Sequence, residues 1–123
     1  MKDEFNIDLS LPNGLLYVID AEMFDPPEID GSHFVYRSES CLILVCQPDM
    51  DGPTAIRINS SEEPRADLLK IGSFIQSVPS GRLALMIVPG EIIHEVPVGT
   101  SVAQVDVWTT GFAGTPRVWL KIQ

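Results

Sequence analysis

Histidine, cysteine and basic residues are all scarce: the chain has two histidines, two cysteines and eight Lys or Arg in 123 residues. A jelly-roll metal site of the cupin type needs His-x-His with a carboxylate and then a later histidine. His33 and His94 cannot furnish that set, and His94 and Glu95 are strand neighbours that face apart. Cys41 and Cys46 stand five apart in a run that reads as one strand, so their side chains point to opposite faces and do not bridge. They read as two buried thiols in a reducing compartment. Seventeen acids outnumber the bases, for a net charge of −9. Phosphate neutralisation needs a basic face, so direct binding to nucleic acid or to an anionic membrane is disfavoured. No apolar run approaches the roughly 18 residues of a membrane span. The opening MKDEFNIDLSLPNG lacks a basic-then-apolar leader, so a cytoplasmic protein is expected.

Catalytic signatures are missing as well. The chain has no P-loop and no GxGxxG. Ser32-His33 reads as a pair of strand neighbours facing apart, and Cys41 lies in an apolar strand that disfavours a thiolate. The paired carboxylates sit in polar loops, with no apolar pocket to raise a pKa. Asp49-x-Asp51-Gly52 is a fragment of a calcium loop, but Ser60 falls where a bidentate acid belongs, so a hairpin turn is expected. No catalytic residue, metal or cofactor is assigned, and the chain reads as a non-enzyme.

What remains is strand chemistry. Phe5–Leu11 alternates, with Phe5, Ile7, Leu9 and Leu11 facing inward. Further strands are expected at Leu15–Asp20, His33–Arg37, Ser40–Gln47, Thr54–Asn59, Ile71–Val78, Arg82–Val88, Glu91–Val96, Val102–Thr109 and Arg117–Gln123. Val-Pro recurs at Val78-Pro79, Val88-Pro89 and Val96-Pro97, each with a glycine close behind. Proline stops a ladder and glycine turns it, which suggests a β-meander built around Arg82–Val88. Ser60–Asp67 could cap a single helical turn through Leu69. No other stretch keeps a helical period over ten residues. Nine or ten short strands without helices to cover them predict one all-β domain over residues 1–123. Its expected architecture is an antiparallel two-sheet β-sandwich or jelly roll with at most one helical turn.

Charge is unevenly placed. Residues 1–67 carry fourteen acids against four bases, and residues 68–123 three against four. The loop after the second strand, AEMFDPPEIDGS, holds no base. Asp20, Glu22, Asp25, Glu28 and Asp30 surround Met23 and Phe24, the pattern of a partner-facing loop with apolar anchors. Asp20, Glu22, Phe24, Asp25, Glu28 and Asp30 are therefore the candidate contacts for a basic protein partner. Trp119 lies on the polar face of the last strand, half covered or exposed. Trp108 or Trp119 offers a sheet-to-sheet contact for a homo-oligomer.

The order of these features carries a resemblance. A strand ends in Leu15-x-Tyr17-Val18-x-Asp20, followed by an acidic proline-containing loop and Phe34-x-x-Arg37. An apolar strand and Ala55–Ile58 come next, then Ser80-Gly81 between strands and Val96-Pro97-Val98-Gly99 before another. From Phe5 to Trp108 the layout resembles the competence protein J family, small bacterial all-β proteins whose namesake inhibits a partner DNA nuclease. The resemblance implies a β-sandwich and an inhibitor or immunity-type protein for a basic partner such as a nuclease. It assigns no site residues. The competing reading is a degenerate cupin-like jelly roll, holding a small molecule or metal between its sheets with His94 and Glu95 or His33.

Overall fold

Ten strands occupy the alternating and apolar runs of the sequence: β1 Phe5–Leu9, β2 Leu15–Asp20, β3 Val35–Arg37, β4 Cys41–Val45, β5 Thr54–Ile58, β6 Leu69–Ser77, β7 Arg82–Val88, β8 Glu91–Pro97, β9 Val102–Thr109 and β10 Arg117–Ile122. The computed structural model describes residues 4–88 and 90–123. The expected turn at Val88-Pro89 therefore falls partly outside the described residues. Two five-stranded sheets form, sheet A in the order β1-β5-β10-β9-β6 and sheet B in the order β3-β4-β2-β7-β8.

The inner faces make the core. Leu16, Val18, Leu42, Leu44, Leu83 and Leu85 come from sheet B, and Ile56, Ile58, Val105, Val107, Val118 and Leu120 from sheet A; all are buried. Alternation explains sheet A, whose outer face is polar apart from Trp108, Trp119, Ile75 and Val102. β2, β4 and β7 are apolar on both faces, because the outside of sheet B is covered too. Tyr17, Ile19, Tyr36, Cys41, Ile43, Ala84 and Met86 form a second buried cluster there. The two cysteines separate accordingly, Cys46 into the core and Cys41 into the outer cluster, and both are free thiols.

Three details depart from the sequence reading. The second half is not a meander: β6 pairs with β9 in sheet A, while β7 and β8 pair in sheet B. β7 lies next to the edge strand β8, and β2 is the centre of its sheet. Turn residues mark where a strand stops but not which sheet the chain enters next. The sheets are antiparallel except that β10 runs parallel to β5. The single helical turn among the described residues is a 3-10 turn at Asp49–Asp51, and Ser60–Asp67 forms none.

Of the four changes of sheet, β6 to β7 and β8 to β9 lie side by side. The carbonyl of Gly81 accepts hydrogen bonds from the N–H groups of Val98 and Gly99, and Gly81 itself needs a φ of 76°. That left-handed corner is open to glycine without strain. Gln76 ties the sheets together: its Nε2 donates to the carbonyls of Val18 and Ser40 at 2.9 and 3.0 Å. One open side is closed by Phe5 of β1 stacked on His94 of β8, with ring centres 3.9 Å apart. At the other, Arg37 donates to the Ile75 carbonyl and lies over Phe74.

Candidate interaction site

The acidic loop is a flap. It leaves β2 at Asp20, opposite Leu83, and rejoins sheet B at Val35, opposite Leu44. Residues 21–34 thus run the length of the sheet across its outer apolar face. Contacts with that face hold the flap down. Phe24 meets Tyr17 with ring centres 6.3 Å apart, and Ser38 Oγ donates to the Asp25 carbonyl at 2.6 Å.

Asp20 anchors the near end. It is 2% exposed, which corrects its assignment as a contact residue. One oxygen accepts from the N–H and Oγ of Ser80 at 2.9 and 2.8 Å, and the other accepts from the Glu22 N–H at 2.9 Å. Burial alone would raise its pKa, but the hydrogen bonds from Ser80, Glu22 and Met23 together outweigh it, and the carboxyl lies below its ordinary value. Asp20 shapes the flap instead of presenting itself.

Glu22 is exposed but not free of base. Arg82, from the start of β7, pairs with it and also with Glu95, the latter at 2.8 Å. The Glu22 hydrogen bond is the main reason that the Arg82 pKa is raised. Phe24 is 50% exposed, and Met23 and Ile29 beside it are 45% and 40% exposed. Asp25, Glu28 and Asp30 are exposed and form no ion pair among the described residues.

The far end is stapled by Asp30. Its Oδ1 accepts from the Ser32 N–H, the Ser32 hydroxyl and the Tyr36 hydroxyl at 2.9, 2.6 and 3.1 Å. The Ser32 side chain, then its backbone, then Tyr36 bring the Asp30 carboxyl down to about 2. Ser32 and His33 do meet, with Oγ and Nδ1 2.6 Å apart. The expectation that they face apart assumed a strand, whereas β3 starts only at Val35. The contact still does not make a nucleophile. The single hydroxyl proton is directed at Asp30, so Nδ1 is the donor toward Ser32 and cannot act as its base. Burial pushes the Cys41 thiol up to about 12, with Asp25 adding to the rise, and burial does the same to Cys46. Neither is poised as a thiolate.

The metal reading finds no arrangement to support it. Among the described residues no group of three or more His, Cys, Asp and Glu side chains is placed to hold an ion. His33 precedes β3 and His94 lies on β8, at opposite edges of sheet B. Asp49 and Asp51 sit on the exposed 3-10 turn. The sheets are joined by packed apolar side chains, and two clefts lie outside sheet A.

Sequence reasoning missed Ser80 and Arg82. Both stand sixty residues from the flap acids they serve, and the Ser80-Gly81 turn gave only a turn signal. Trp119 is also corrected: it is buried, in edge-to-face contact with Trp108 at 5.0 Å.

No protein-family model and no curated protein matches the chain. Among solved structures it is similar to ComJ, inhibitor of the DNA degrading activity of NucA, from Bacillus subtilis. The match covers 99% of this chain and 97% of that chain, with a TM-score of 0.66 and 14% identity. At that identity the likeness is one of fold, and the resemblance first read from strand and turn order is present in three dimensions.

Proposed function

We propose that the chain is a non-enzymatic, inhibitor-type binding protein that holds a basic protein partner against its acidic flap, with a DNA nuclease as the first partner to test. The carrying observation is the flap itself. It places Phe24, Met23 and Ile29, each exposed by 40% or more, among Glu22, Asp25, Glu28 and Asp30 on a backbone pinned at both ends. An apolar anchor within a rim of like charge suits a basic surface: the rim steers encounter and the anchor supplies affinity. The fold shared with a nuclease inhibitor supports the same class of function. The two free thiols suit a reducing cytoplasm, and no helix among the described residues is long and apolar enough to cross a membrane.

Capture of a partner on the tagged protein at low salt, followed by elution with salt, yields the protein to assay. Replacing Glu22, Asp25, Glu28 and Asp30 by their amides is expected to slow association about tenfold at low salt and to flatten its salt dependence. Phe24→Ala is expected to weaken binding about tenfold or more, mainly through faster dissociation. An association rate unchanged by the four amides at low salt would remove the flap as the contact. A homo-oligomer would use instead the exposed Ile75 and Val102, diagonal neighbours on β6 and β9. Sedimentation decides, because a monomer at millimolar concentration leaves that edge without a partner copy.

A further inference from the structure

The outer face of sheet A carries a second crossing segment. The chain leaves β5 at Asn59, beside the end of β10, and returns at Leu69, opposite Thr109. Asn59 makes the exit with a left-handed φ of 51°, and its Oδ1 accepts the Ile122 N–H at 2.7 Å. Residues 60–68 then arch over the sheet without lying flat on it. A cleft of about 1000 Å³ opens on one side, with Trp108 and Trp119 among its lining, and a smaller one of about 290 Å³ opens on the other.

The lining of the larger cleft is specific. Trp119 and Trp108 are directly paired across β10 and β9. Glu4, Glu62 and Glu63 also line it, with Lys121 the single base. Glu62 and Glu63 form no ion pair among the described residues, so their carboxylates have no base to neutralise them. One of the two indoles already accepts a cation from within the chain, since Lys70 Nζ stands 5.3 Å from the centre of the Trp108 ring. Asn59 Nδ2 is buried in the cleft wall without an acceptor. An aromatic floor alone would also suit a nucleobase. Three carboxylates against the ammonium groups of Lys121 and Lys70 leave the cleft net negative, which disfavours the phosphate that a nucleotide brings. The volume stands at the upper end of small-ligand sites, which run about 300–1,000 Å³, and admits a peptide segment.

We propose that this cleft binds an arginine side chain presented by a peptide segment. The planar guanidinium lies against Trp108, the more exposed of the two perpendicular indoles, and its N–H groups reach Glu62 and Glu63 on the arch. Guanidinium fits better than ammonium because it stacks on aromatic faces and forks to carboxylates, whereas ammonium is a more strongly hydrated point charge. The site lies on the face opposite the flap and stands independently of the partner proposed there.

Both tryptophans of the chain line the cleft, so their two indole N–H signals in a ¹⁵N–¹H spectrum read it directly. The probe is a Gly-Arg-Gly peptide with both ends capped, compared with capped Gly-Lys-Gly and Gly-Glu-Gly. The arginine peptide is expected to shift both indole signals saturably, with the lysine peptide about tenfold weaker and the glutamate peptide without effect. The exposed Glu62→Gln, Glu63→Gln double variant is expected to weaken the arginine response about tenfold and to leave the remaining amide spectrum in place. Glu28→Gln on the flap is expected to leave the response unchanged, which separates this site from the proposed function. Indole signals unmoved by arginine at tens of millimolar (about the range for a single weak contact) would overturn the proposal. So would equal shifts in the double variant, or a lysine peptide that binds as tightly as the arginine one.

Discussion

Asp20 ends an apolar strand and begins an acidic loop, and one carboxylate there fixes the path of both. Besides the Ser80 hydroxyl, which also reaches the Arg82 carbonyl at 3.1 Å, it accepts from the N–H groups of Ser80 and Glu22. Asp20→Ala leaves them unpaired under the flap and is expected to destabilise the fold by about 2–3 kcal/mol, the range for stranding buried groups bonded to a charge. Asp20→Asn keeps one accepting oxygen and is expected to lose less. Urea unfolding of both variants at neutral pH checks the order. Acid adds a second check. The folded pKa lies below the unfolded value, so the contribution is complete above about 3.9, the unfolded carboxyl. It fades as pH falls through the folded value, since the unfolded chain takes the proton more readily. The wild type is expected to lose more stability than Asp20→Asn as pH is lowered from neutral through the unfolded carboxyl value and below it. In the sequence Asp20 looks like its exposed neighbours. The two properties that set it apart, a covered sheet face and a serine sixty residues on, belong to the folded chain.

Strand positions were largely legible. Alternation located β1, β5 and β10, and Val-Pro and Gly bounded β7 and β8 within a residue. Unbroken apolar runs at β2, β4 and β7 signalled burial on both faces, but a run does not say what does the covering. Helices usually cover such a face. Here an irregular flap does so, and its acidity drew attention to partners and away from its packing. The flap depends on Tyr36, whose hydroxyl accepts the His33 N–H at 3.0 Å and donates to Asp30. Tyr36→Phe is expected to lower global stability by only about 1 kcal/mol. Amide exchange within residues 21–34 is expected to quicken more than in β2 or β4, because a segment without strand pairing opens locally. Exchange that rises equally in flap and strands would mean that the flap opens only when the whole domain does.

At the scale of the molecule, the acidic and near-neutral halves of the sequence do not become two hemispheres. Each sheet takes strands from both halves. Much of the acidity concentrates in the flap and the arch, so both outer faces carry negative charge. Like charges at such spacing repel over a screening length of about 10 Å at 0.1 M salt. The urea midpoint is therefore expected to rise between about 0.02 and 0.5 M sodium chloride, because salt relieves self-repulsion in a chain of charge −9. A midpoint that falls with salt would show that the ion pairs, such as Arg82 with Glu22 and Glu95, outweigh it.

The parallel pairing of β10 with β5 has a temporal consequence. β1 with β5 and β6 with β9 can each pair early, but β10 alone joins the two pieces of sheet A, and it is the last of the ten strands to be synthesised. During translation the ribosome therefore extends a chain in which sheet A lacks its middle, with the facing edges of β5 and β9 unpaired. Such edges are the usual template for intermolecular strand addition. Closure of sheet A must wait for contacts between residues far apart in sequence, which places folding among the slower, high-contact-order cases. A nascent chain stalled before Arg117 would be a candidate client for chaperones that shield unpaired strands.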